Sequence, residues 1–309
     1  MKCIKGNQNS FMIRILFALL FLLPACSRLE VRKPVTDLRQ ELTISSGGQQ
    51  RSFILRLPDD YNEKKGFHPL IIGMHGFGGS GSQFERNYFL AEKALPKGYI
   101  LVFPDGNRID NSILRYWNVG VSLGEGASLN DDVQFISDLI DYVSAEFNVD
   151  SKRVYATGMS NGAIMSYKLA SELSNKITAI APVAGTKLNS VKSPTRQVPI
   201  LHIHSEKDDL IPFEGGVGFG GVNFPPVTSG LSFWASQNNC DANYTDQDMG
   251  MYMQREWKNC TESAVILYLT KDGGHSWPGG EKPRDTGSEV STAVNANDLM
   301  LEFFERFSL

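Results

Sequence analysis

The chain alternates between short apolar runs and longer segments with apolar residues at helical spacing. Apolar, β-branched runs of about six residues predict strands, whereas spacing near 3.6 residues predicts helices buried on one face. The predicted strands lie near 52–57, 69–74, 99–103, 153–157, 177–183, 198–204 and 264–269, and the predicted helices near 82–94, 131–147, 161–174, 228–237 and 291–306. This alternation favours an α/β fold, with a mostly parallel sheet flanked by helices on both faces.

The helix predicted near 131–147 has the clearest pattern. Its apolar face carries Val133, Ile136, Leu139, Ile140, Val143 and Phe147. Asp131 and Asp132 at its start resemble a paired-carboxylate site. A helix cap and a first-turn acid, favoured by the helix dipole, explain the same pair, so we interpret both residues as structural.

Composition indicates one folded domain behind a separate N-terminal segment. The 309 residues are 41% hydrophobic, enough to bury a sizeable core in a single α/β domain. Residues 1–25 differ, because basic residues precede the apolar run 15–23. This pattern is typical of a secretory signal peptide, and the run is too short for a membrane span. We therefore divide the chain into a leader at 1–25, a tether at 26–47 and a folded domain at 48–309.

The residues around Cys26 resemble a bacterial lipobox, in which a cysteine after a small residue is lipidated and becomes the new N-terminus. We expect lipidation of Cys26 and a lipid anchor in the cell envelope. Pro24 is not the usual residue at its position. Plain cleavage of the leader and secretion is therefore the alternative.

The four cysteines leave one pair in the exported chain. Cys3 departs with the leader and Cys26 would carry lipid, so Cys240 and Cys260 remain. In an oxidising compartment we expect these two to form a structural disulfide, and two free thiols are the alternative. The cysteines and histidines show no zinc-type spacing, and the sequence predicts no metal site.

The charge of the chain is mildly acidic. The full sequence has 30 basic and 34 acidic residues. The leader removes three basic residues and no acidic ones, so the mature chain has 27 minus 34, or a net charge of −7. This balance argues against nucleic acid as a partner.

The segment Gly158-Met159-Ser160-Asn161-Gly162 carries the strongest chemical signal. It joins a predicted strand to a predicted helix and matches the Gly-x-Ser-x-Gly nucleophile elbow. Glycines permit the sharp turn that exposes Ser160 Oγ above the sheet and turns the N–H of Asn161 toward an oxyanion. A serine that only caps a helix is the alternative.

The chain order of an elbow hydrolase, in which the serine precedes the acid and the histidine comes last, favours one histidine. The five histidines are His68, His75, His202, His204 and His275. Apart from Glu172, the first acid after Ser160 is Glu206, and only His275 follows it; His275 lies on a glycine-rich loop after the strand predicted at 264–269. We predict His275 as the general base. His202 and His204 alternate along a strand, and we interpret them as structural.

Three acids compete for the partner of His275. Glu206, Asp208 and Asp209 all follow the strand predicted at 198–204. An acid there can accept a hydrogen bond from His275 Nδ1–H and fix the tautomer. Spacing alone does not separate the three.

A second oxyanion donor is predicted on the glycine-rich segment 75–79. This segment follows an apolar strand and permits the close backbone approach that an oxyanion hole requires. The Phe77 N–H is the first choice and the Gly78 N–H the second. A phosphate-binding loop is the alternative, but no Lys-Ser or Lys-Thr follows.

The motifs together resemble the secreted polyhydroxybutyrate depolymerase and feruloyl or acetylxylan esterase group of α/β-hydrolases. They are spread in order over roughly 48–307, at 74–79, 103–106, 116–118, 131–133, 155–162, 181–185, 202–204 and 273–280. The resemblance implies an α/β-hydrolase catalytic domain at 48–309 without a large lid domain. It also implies serine-dependent ester hydrolysis without a cofactor.

In this family the acid lies three residues after the position of Ser205, which carries over to Asp208. The family usually has small residues between strand and acid, whereas this chain has Glu206 and Lys207 there. Asp209 therefore stays a second choice.

Candidates for substrate contact come from aromatic motifs and from one loop. We predict that Trp117, Asn118 and Trp277 hold an acyl chain or a sugar-linked ring, and burial in the core is the alternative for each. The glycine-rich segment Glu214 to Pro226 suits a mobile loop beside the cleft.

The predicted function is two-step acyl transfer with Ser160, His275 and Asp208 as the triad. The expected partner is a small or polymeric ester, and the expected membrane contact is the lipid anchor alone. Two alternatives stay open. One is a peptidase or amidase of the same fold, and the other is a surface lipoprotein that binds polymer or glycan without catalysis.

Overall fold

The computed structural model describes residues 35–309 except 65, 110–111, 121–129 and 286. The strands are β1 Arg39–Ser46, β2 Gln49–Arg56, β3 His68–Met74, β4 Ile100–Pro104, β5 Asn107–Arg108, β6 Arg115–Tyr116, β7 Val149–Met159, β8 Ala179–Val183, β9 Ile200–Ser205, β10 Gly216–Val217, β11 Asn223–Phe224, β12 Tyr244–Asp248, β13 Tyr252–Trp257 and β14 Val265–Thr270. The helices are α1 Gly81–Tyr88, α2 Leu90–Ala94, α3 Asp132–Glu146, α4 Asn161–Glu172, α5 Val227–Gln237 and α6 Ala296–Phe304, with short 3₁₀ helices at Leu95–Lys97 and Phe219–Gly221.

Ten strands form one sheet in the order β1-β2-β4-β3-β7-β8-β9-β14-β13-β12. The pairs from β4 to β14 are parallel, and the outer pairs at both edges are antiparallel. Strands β3, β4, β8 and β9 are buried at every position because helices cover both faces of the sheet. Residues of α3, α4 and α5 belong to the apolar core on one face, and those of α1, α2 and α6 to the core on the other. The predicted α/β architecture is confirmed.

The structure corrects the predicted tether at 26–47. Residues 39–46 form β1, which pairs antiparallel with β2 along its whole length. Only Ile44 and Ser46 of this edge strand are buried, so its apolar alternation is weak in the sequence. The folded domain therefore begins before residue 48. The predicted leader at 1–25, Cys3 and Cys26 lie outside the described residues.

Two further elements differ from the predictions. The helix predicted at 82–94 is two helices, because Phe89 has a left-handed backbone with φ of 53°. The edge hairpin of β12 and β13 was not predicted. Strand β12 is exposed at every position, so it has no buried face that would require apolar residues at alternate positions.

The predicted disulfide is present between Cys240 and Cys260. It joins the segment after α5 to the segment between β13 and β14, and so closes the loop that contains the edge hairpin. No helix among the described residues is long and apolar enough to cross a membrane.

Candidate active site

Ser160 lies on a sharp turn between β7 and α4. Its φ of 58° and ψ of −116° are unfavourable for a residue with a side chain, and such strain concentrates at functional sites. Both flanking glycines are sterically required. A Cβ on Gly158 would lie 2.4 Å from the carbonyl of Gly162, and one on Gly162 would lie 2.2 Å from the carbonyl oxygen of Met74. The backbone therefore has the nucleophile-elbow form that the sequence predicted.

His275 and Asp208 are hydrogen-bonded, with 2.8 Å between His275 Nδ1 and Asp208 Oδ2. The other carboxylate oxygen accepts the backbone N–H groups of Leu210 and Ile211, at 3.0 and 2.8 Å. Asp208 is buried, whereas its neighbour Asp209 is exposed. Of the acids that spacing did not separate, Asp208 is the one that contacts the histidine.

The carboxylate of Asp208 is held in its ionised form. Burial acts to raise its pKa, but the charge of His275 and the hydrogen bonds from His275 and Ile211 outweigh burial, and the net pKa lies below the usual value. An ionised Asp208 accepts the Nδ1–H of His275. Nε2 is then the ring nitrogen that does not bond to Asp208.

Ser160 and His275 line the same cavity, which has a volume of about 510 Å³. Within the described part of the chain, the serine hydroxyl makes no hydrogen bond that would hold it away from the cavity. The described residues contain no group of three or more His, Cys, Asp or Glu side chains that is arranged to hold a metal ion.

Two backbone N–H groups beside Ser160 are unpaired within the described residues. The N–H of Asn161 is the first of α4, and the N–H of Phe77 lies in the loop after β3. That loop lies against the serine, because a Cβ on Gly76 would be 3.4 Å from Ser160 Cβ. The second choice, Gly78, donates its N–H to the Arg115 carbonyl at 2.7 Å and is removed as a candidate.

Trp117 links the two segments that carry these N–H groups. Its backbone N–H donates to Asn161 Oδ1 at 2.6 Å, and its carbonyl accepts from Asn161 Nδ2 at 3.1 Å. Its indole N–H donates to the carbonyl of His75 at 2.9 Å. The side chain is fully buried. The predicted substrate contact of Trp117 is therefore wrong, since both its ring and its N–H are used inside the protein.

Asn118 is likewise a structural residue and does not line the cavity. Its backbone N–H donates to Asp132 Oδ2 at 2.7 Å, and its side chain donates to the Asn130 carbonyl at 3.0 Å. Asp132 is buried and also accepts from Arg51 Nη2 at 2.7 Å. Burial raises the pKa of Asp132, and the Arg51 charge opposes that shift. Its neighbour Asp131 caps α3 through two backbone N–H groups, so both acids have structural contacts.

His75 orders the loop that carries Phe77. Its Nδ1–H donates to the Gly76 carbonyl at 2.7 Å, and its Nε2 accepts the N–H of Gly106 at 3.0 Å. Full burial disfavours the charged imidazole and lowers the pKa of His75 to about 4. His75 is therefore a neutral residue that positions the loop.

His202 and His204 form a buried chain of hydrogen bonds that ends at the Ile211 carbonyl, beside Asp208. The Tyr167 hydroxyl lies 2.8 Å from His202 Nδ1, and His202 Nε2 lies 3.1 Å from His204 Nδ1. His204 Nε2 donates to the Ile211 carbonyl at 2.9 Å and lies 3.4 Å from Asp208 Oδ2. Burial lowers the pKa of both histidines. Their geometry agrees with the structural interpretation.

Trp277 lines the cavity, although only 1% of it is exposed. It stacks on Tyr88 with ring centroids 4.8 Å apart, and its N–H donates to Asn297 Oδ1 at 3.2 Å. The segment from Glu214 to Pro226 forms the small β10–β11 hairpin, and its Phe219 ring lies 5.2 Å from that of Phe77.

Sequence reasoning missed several residues that line the cavity, because nothing in their local pattern marks them. They are Gln83, Tyr88, Ile113, Leu114, Leu210, Phe219 and Arg284.

The sequence matches known enzymes over most of its length. The model of the phospholipase/carboxylesterase family matches residues 61–220. A bifunctional acetylxylan esterase/xylanase of Neocallimastix patriciarum is 27% identical over 67% of this chain and 29% of its own. Feruloyl esterase B of Piromyces equi is 29% identical over 72% of this chain and 42% of its own. A protein named "Probable feruloyl esterase C" from Aspergillus oryzae is 29% identical over 73% of this chain and 76% of its own.

Among solved structures, an acetyl xylan esterase from Aspergillus awamori covers 87% of this chain and 99% of its own, with a TM-score of 0.60 and 14% identity. At that identity the likeness supports the fold alone. The chain spans less than half the length of the first two relatives, from Neocallimastix and Piromyces. The family match covers more than half of the chain and includes the elbow at Ser160 and the acid Asp208. The chain therefore belongs to the phospholipase/carboxylesterase family and has the α/β-hydrolase fold.

Proposed function

We propose that this protein is a serine carboxylic ester hydrolase with Ser160 as nucleophile, His275 as general base and Asp208 as the acid that orients it. The observation that carries the proposal is the 2.8 Å hydrogen bond from His275 to Asp208 in the cavity that also contains the strained Ser160. Family membership supports the same chemistry. The distant relatives named as esterases agree with it.

The proposed reaction proceeds through an acyl-enzyme. Ser160 Oγ attacks the ester carbonyl while its proton moves to His275 Nε2, and Asp208 stabilises the resulting imidazolium. The N–H groups of Asn161 and Phe77 donate to the developing oxyanion. The imidazolium then protonates the leaving alcohol as its bond to the carbonyl carbon breaks. Water gives a proton to His275 and attacks the acyl-enzyme; the bond between the carbonyl carbon and Ser160 Oγ then breaks, His275 returns the proton to Oγ, and the acid leaves.

The test is replacement of the nucleophile. We expect Ser160→Ala to lower kcat for 4-nitrophenyl acetate by several powers of ten, because the acyl-enzyme no longer forms. A fluorophosphonate probe should label wild type at Ser160 and leave the variant unlabelled. Ser171→Ala, at the far end of the same helix and outside the cavity, is the control and should keep wild-type activity. Activity of Ser160→Ala within tenfold of wild type would exclude this site.

The natural substrate is an ester of a carboxylic acid, of the broad kind that the names of the relatives indicate. We propose that a panel of short-chain nitrophenyl esters, hydroxybutyrate oligomers, feruloyl esters and acetylated xylan contains its substrate class. A matched ester and anilide with the same acyl group separate this proposal from a peptidase or amidase of the same fold. Faster cleavage of the anilide would favour the latter. Failure of the probe to label Ser160 would favour the non-catalytic binding protein.

We also propose that the chain is exported. The disulfide between Cys240 and Cys260 supports export, because such bonds persist in oxidising compartments. A lipid anchor on Cys26 is the finer proposal. Cells grown with a labelled lipid precursor should label the wild-type protein and leave Cys26→Ser unlabelled. Plain secretion predicts no label on either.

A further inference from the structure

A chain of buried polar side chains connects the nucleophile helix to the turn that carries Asp208. Tyr167 lies on α4, the helix that begins after Ser160, and His202 and His204 lie on one face of β9. All three side chains are buried. Apolar residues at these positions would pack without the cost of burying polar groups. Core packing alone therefore does not explain the chain.

The protons of this chain are placed from the end beside Asp208. His204 Nε2 has two oxygen neighbours, the Ile211 carbonyl at 2.9 Å and Asp208 Oδ2 at 3.4 Å. A carbonyl and an ionised carboxylate can only accept, so His204 Nε2 carries a proton. Burial disfavours the charged ring and lowers the pKa of His204. The ring is therefore neutral, and its Nδ1 carries no proton.

The protons on His202 and Tyr167 follow from the state of His204. His204 Nδ1 accepts the Nε2–H of His202 at 3.1 Å. Burial lowers the pKa of His202 as well, so its Nδ1 carries no proton and accepts the hydroxyl of Tyr167 at 2.8 Å. Every hydrogen of the chain therefore points from α4 toward the turn of Asp208. In a low-dielectric interior such aligned hydrogen bonds polarise and strengthen one another.

Ile211 connects this chain to the triad acid. Its carbonyl accepts from His204, and its N–H donates to Asp208 Oδ1 at 2.8 Å. The other carboxylate oxygen, Oδ2, accepts the Nδ1–H of His275 at 2.8 Å. The direction of the carboxylate toward His275 thus depends on the position of Ile211. His204 itself does not line the cavity, so it reaches the reaction through Asp208 and not through the substrate.

We infer that His204 is a positioning residue of the triad, held in its Nε2–H tautomer by His202 and Tyr167, and that it orients Asp208 toward His275 through Ile211. This role rests on the proposed ester hydrolysis and extends its machinery from the cavity into the buried core. A histidine that only filled space would not need its proton on a particular nitrogen. The tautomer of His204 and its bond to Ile211 therefore separate a positioning role from a packing role.

Two substitutions of His204 divide its hydrogen bonds. His204→Gln places an amide N–H where the Nε2–H lies and so keeps the bond to the Ile211 carbonyl. His204→Asn is one methylene shorter, so its amide reaches the Nδ1 position near His202 and leaves that carbonyl unpaired. Both variants are smaller than histidine and lose one of its two bonds. Each is therefore the packing control of the other.

We expect His204→Asn to lower kcat for 4-nitrophenyl acetate about tenfold, the size of one buried hydrogen bond, whereas His204→Gln stays within about threefold of wild type. KM should stay within twofold in both, because His204 lies outside the cavity. The kcat values are referred to the fraction of sites that a fluorophosphonate probe labels at completion, so unfolded protein does not count. His68→Asn, at a buried histidine that begins β3 outside the cavity, is the control and should retain the wild-type kcat.

Nuclear magnetic resonance measures the tautomers directly. The ¹⁵N shifts distinguish the protonated from the unprotonated ring nitrogen of a neutral histidine, and spectra of His202→Gln and His204→Gln assign the signals. In wild type at neutral pH we expect the proton on Nε2 of both rings. The downfield resonance of the His275 Nδ1–H, which reports its bond to Asp208, should move in His204→Asn and stay in place in His204→Gln.

The outcomes separate this inference from the proposed function. A proton on Nδ1 of His204, or equal kcat values for His204→Gln and His204→Asn with wild type active, would overturn the role of His204 alone. Should His204→Asn fail to fold, the tautomer of His204 in wild type decides. If wild type hydrolysed no ester and took no fluorophosphonate label, the proposed function would fall and the inference with it.

Discussion

At the scale of single residues, the site depends on side chains that never touch the substrate. His75 is neutral and buried, and its two ring nitrogens bond the backbone on both sides. Trp117 holds Asn161 through its backbone and the His75 carbonyl through its indole. The two N–H groups proposed to bind the oxyanion are thus held by one shared residue. Such preorganisation is the usual source of oxyanion stabilisation.

A prediction at this scale concerns Trp117. We expect Trp117→Phe to lower kcat about tenfold with KM within twofold of wild type. The variant loses the indole N–H that bonds the His75 carbonyl, so the loop that carries the Phe77 N–H shifts. Steady-state kinetics on 4-nitrophenyl acetate measure kcat and KM separately. Trp234→Phe is the matched control, since Trp234 Nε1 is buried without a hydrogen-bond partner among the described residues. If both variants had the same kcat, Trp117 would have no positioning role.

Residue identity predicted part of this site. Ser160 and His275 followed from the elbow motif and from chain order, which are local or nearly local signals. The identity of the acid did not follow from spacing, because the turn after β9 decides which neighbouring carboxylate points inward. The roles of Trp117 and Asn118 were misjudged because an aromatic and an amide suit a binding cleft and a buried network equally well. Gln83 was missed for the same reason.

At the scale of elements, the edges of the sheet were the hardest to predict. The buried central strands are apolar runs that the sequence marks clearly. Strands β1 and β12 are edge strands that pair on one side only, and β12 is fully exposed. Each of the two pairs with the next strand along the chain through a short turn. The register of β1 against β2 is set by the two-residue turn at Gly47 and Gly48, because β1 has no clear apolar alternation that would set it.

The disulfide supports the edge hairpin at this scale. We expect the double variant Cys240→Ser/Cys260→Ser to lower the free energy of unfolding by about 3 kcal/mol, because the unfolded chain regains the freedom of a loop with a sequence separation of 20. Urea denaturation of both proteins measures the change. Ester hydrolysis at 25 °C should be unchanged, since neither cysteine lines the cavity. Equal stability, or two titratable thiols in the wild type, would contradict this role.

At the scale of the whole molecule, burial of three histidines couples stability to pH. The pKa values of His75, His202 and His204 are all lowered by burial, that of His75 to about 4. Unfolding returns each to about 6.5, so the unfolded chain binds more protons than the native protein below that pH. The three shifts have the same sign. The contribution of these histidines to the free energy of unfolding is therefore fully present above about pH 6.5 and is lost as the pH falls below it.

We predict that the free energy of unfolding falls between pH 7 and pH 5, with His75 alone contributing about 2 kcal/mol. His202 and His204 add to the fall in the same direction. Denaturation curves at pH 7, 6 and 5 measure it. His202→Gln replaces a titrating ring by a side chain that does not titrate, and its stability should depend less steeply on pH than that of wild type. A pH-independent stability over this window would contradict the prediction.

The sequence by itself determined the α/β class, the elbow serine, its histidine and the disulfide pairing. Each of these depends on local periodicity, on a short motif, on the order of a few histidines along the chain, or on the number of cysteines. The tertiary structure alone decided that Asp208 is the acid bonded to His275, that Trp117 is internal and that Gln83 lines the cavity. These depend on side-chain direction between segments far apart in the chain, and the folded backbone sets that direction.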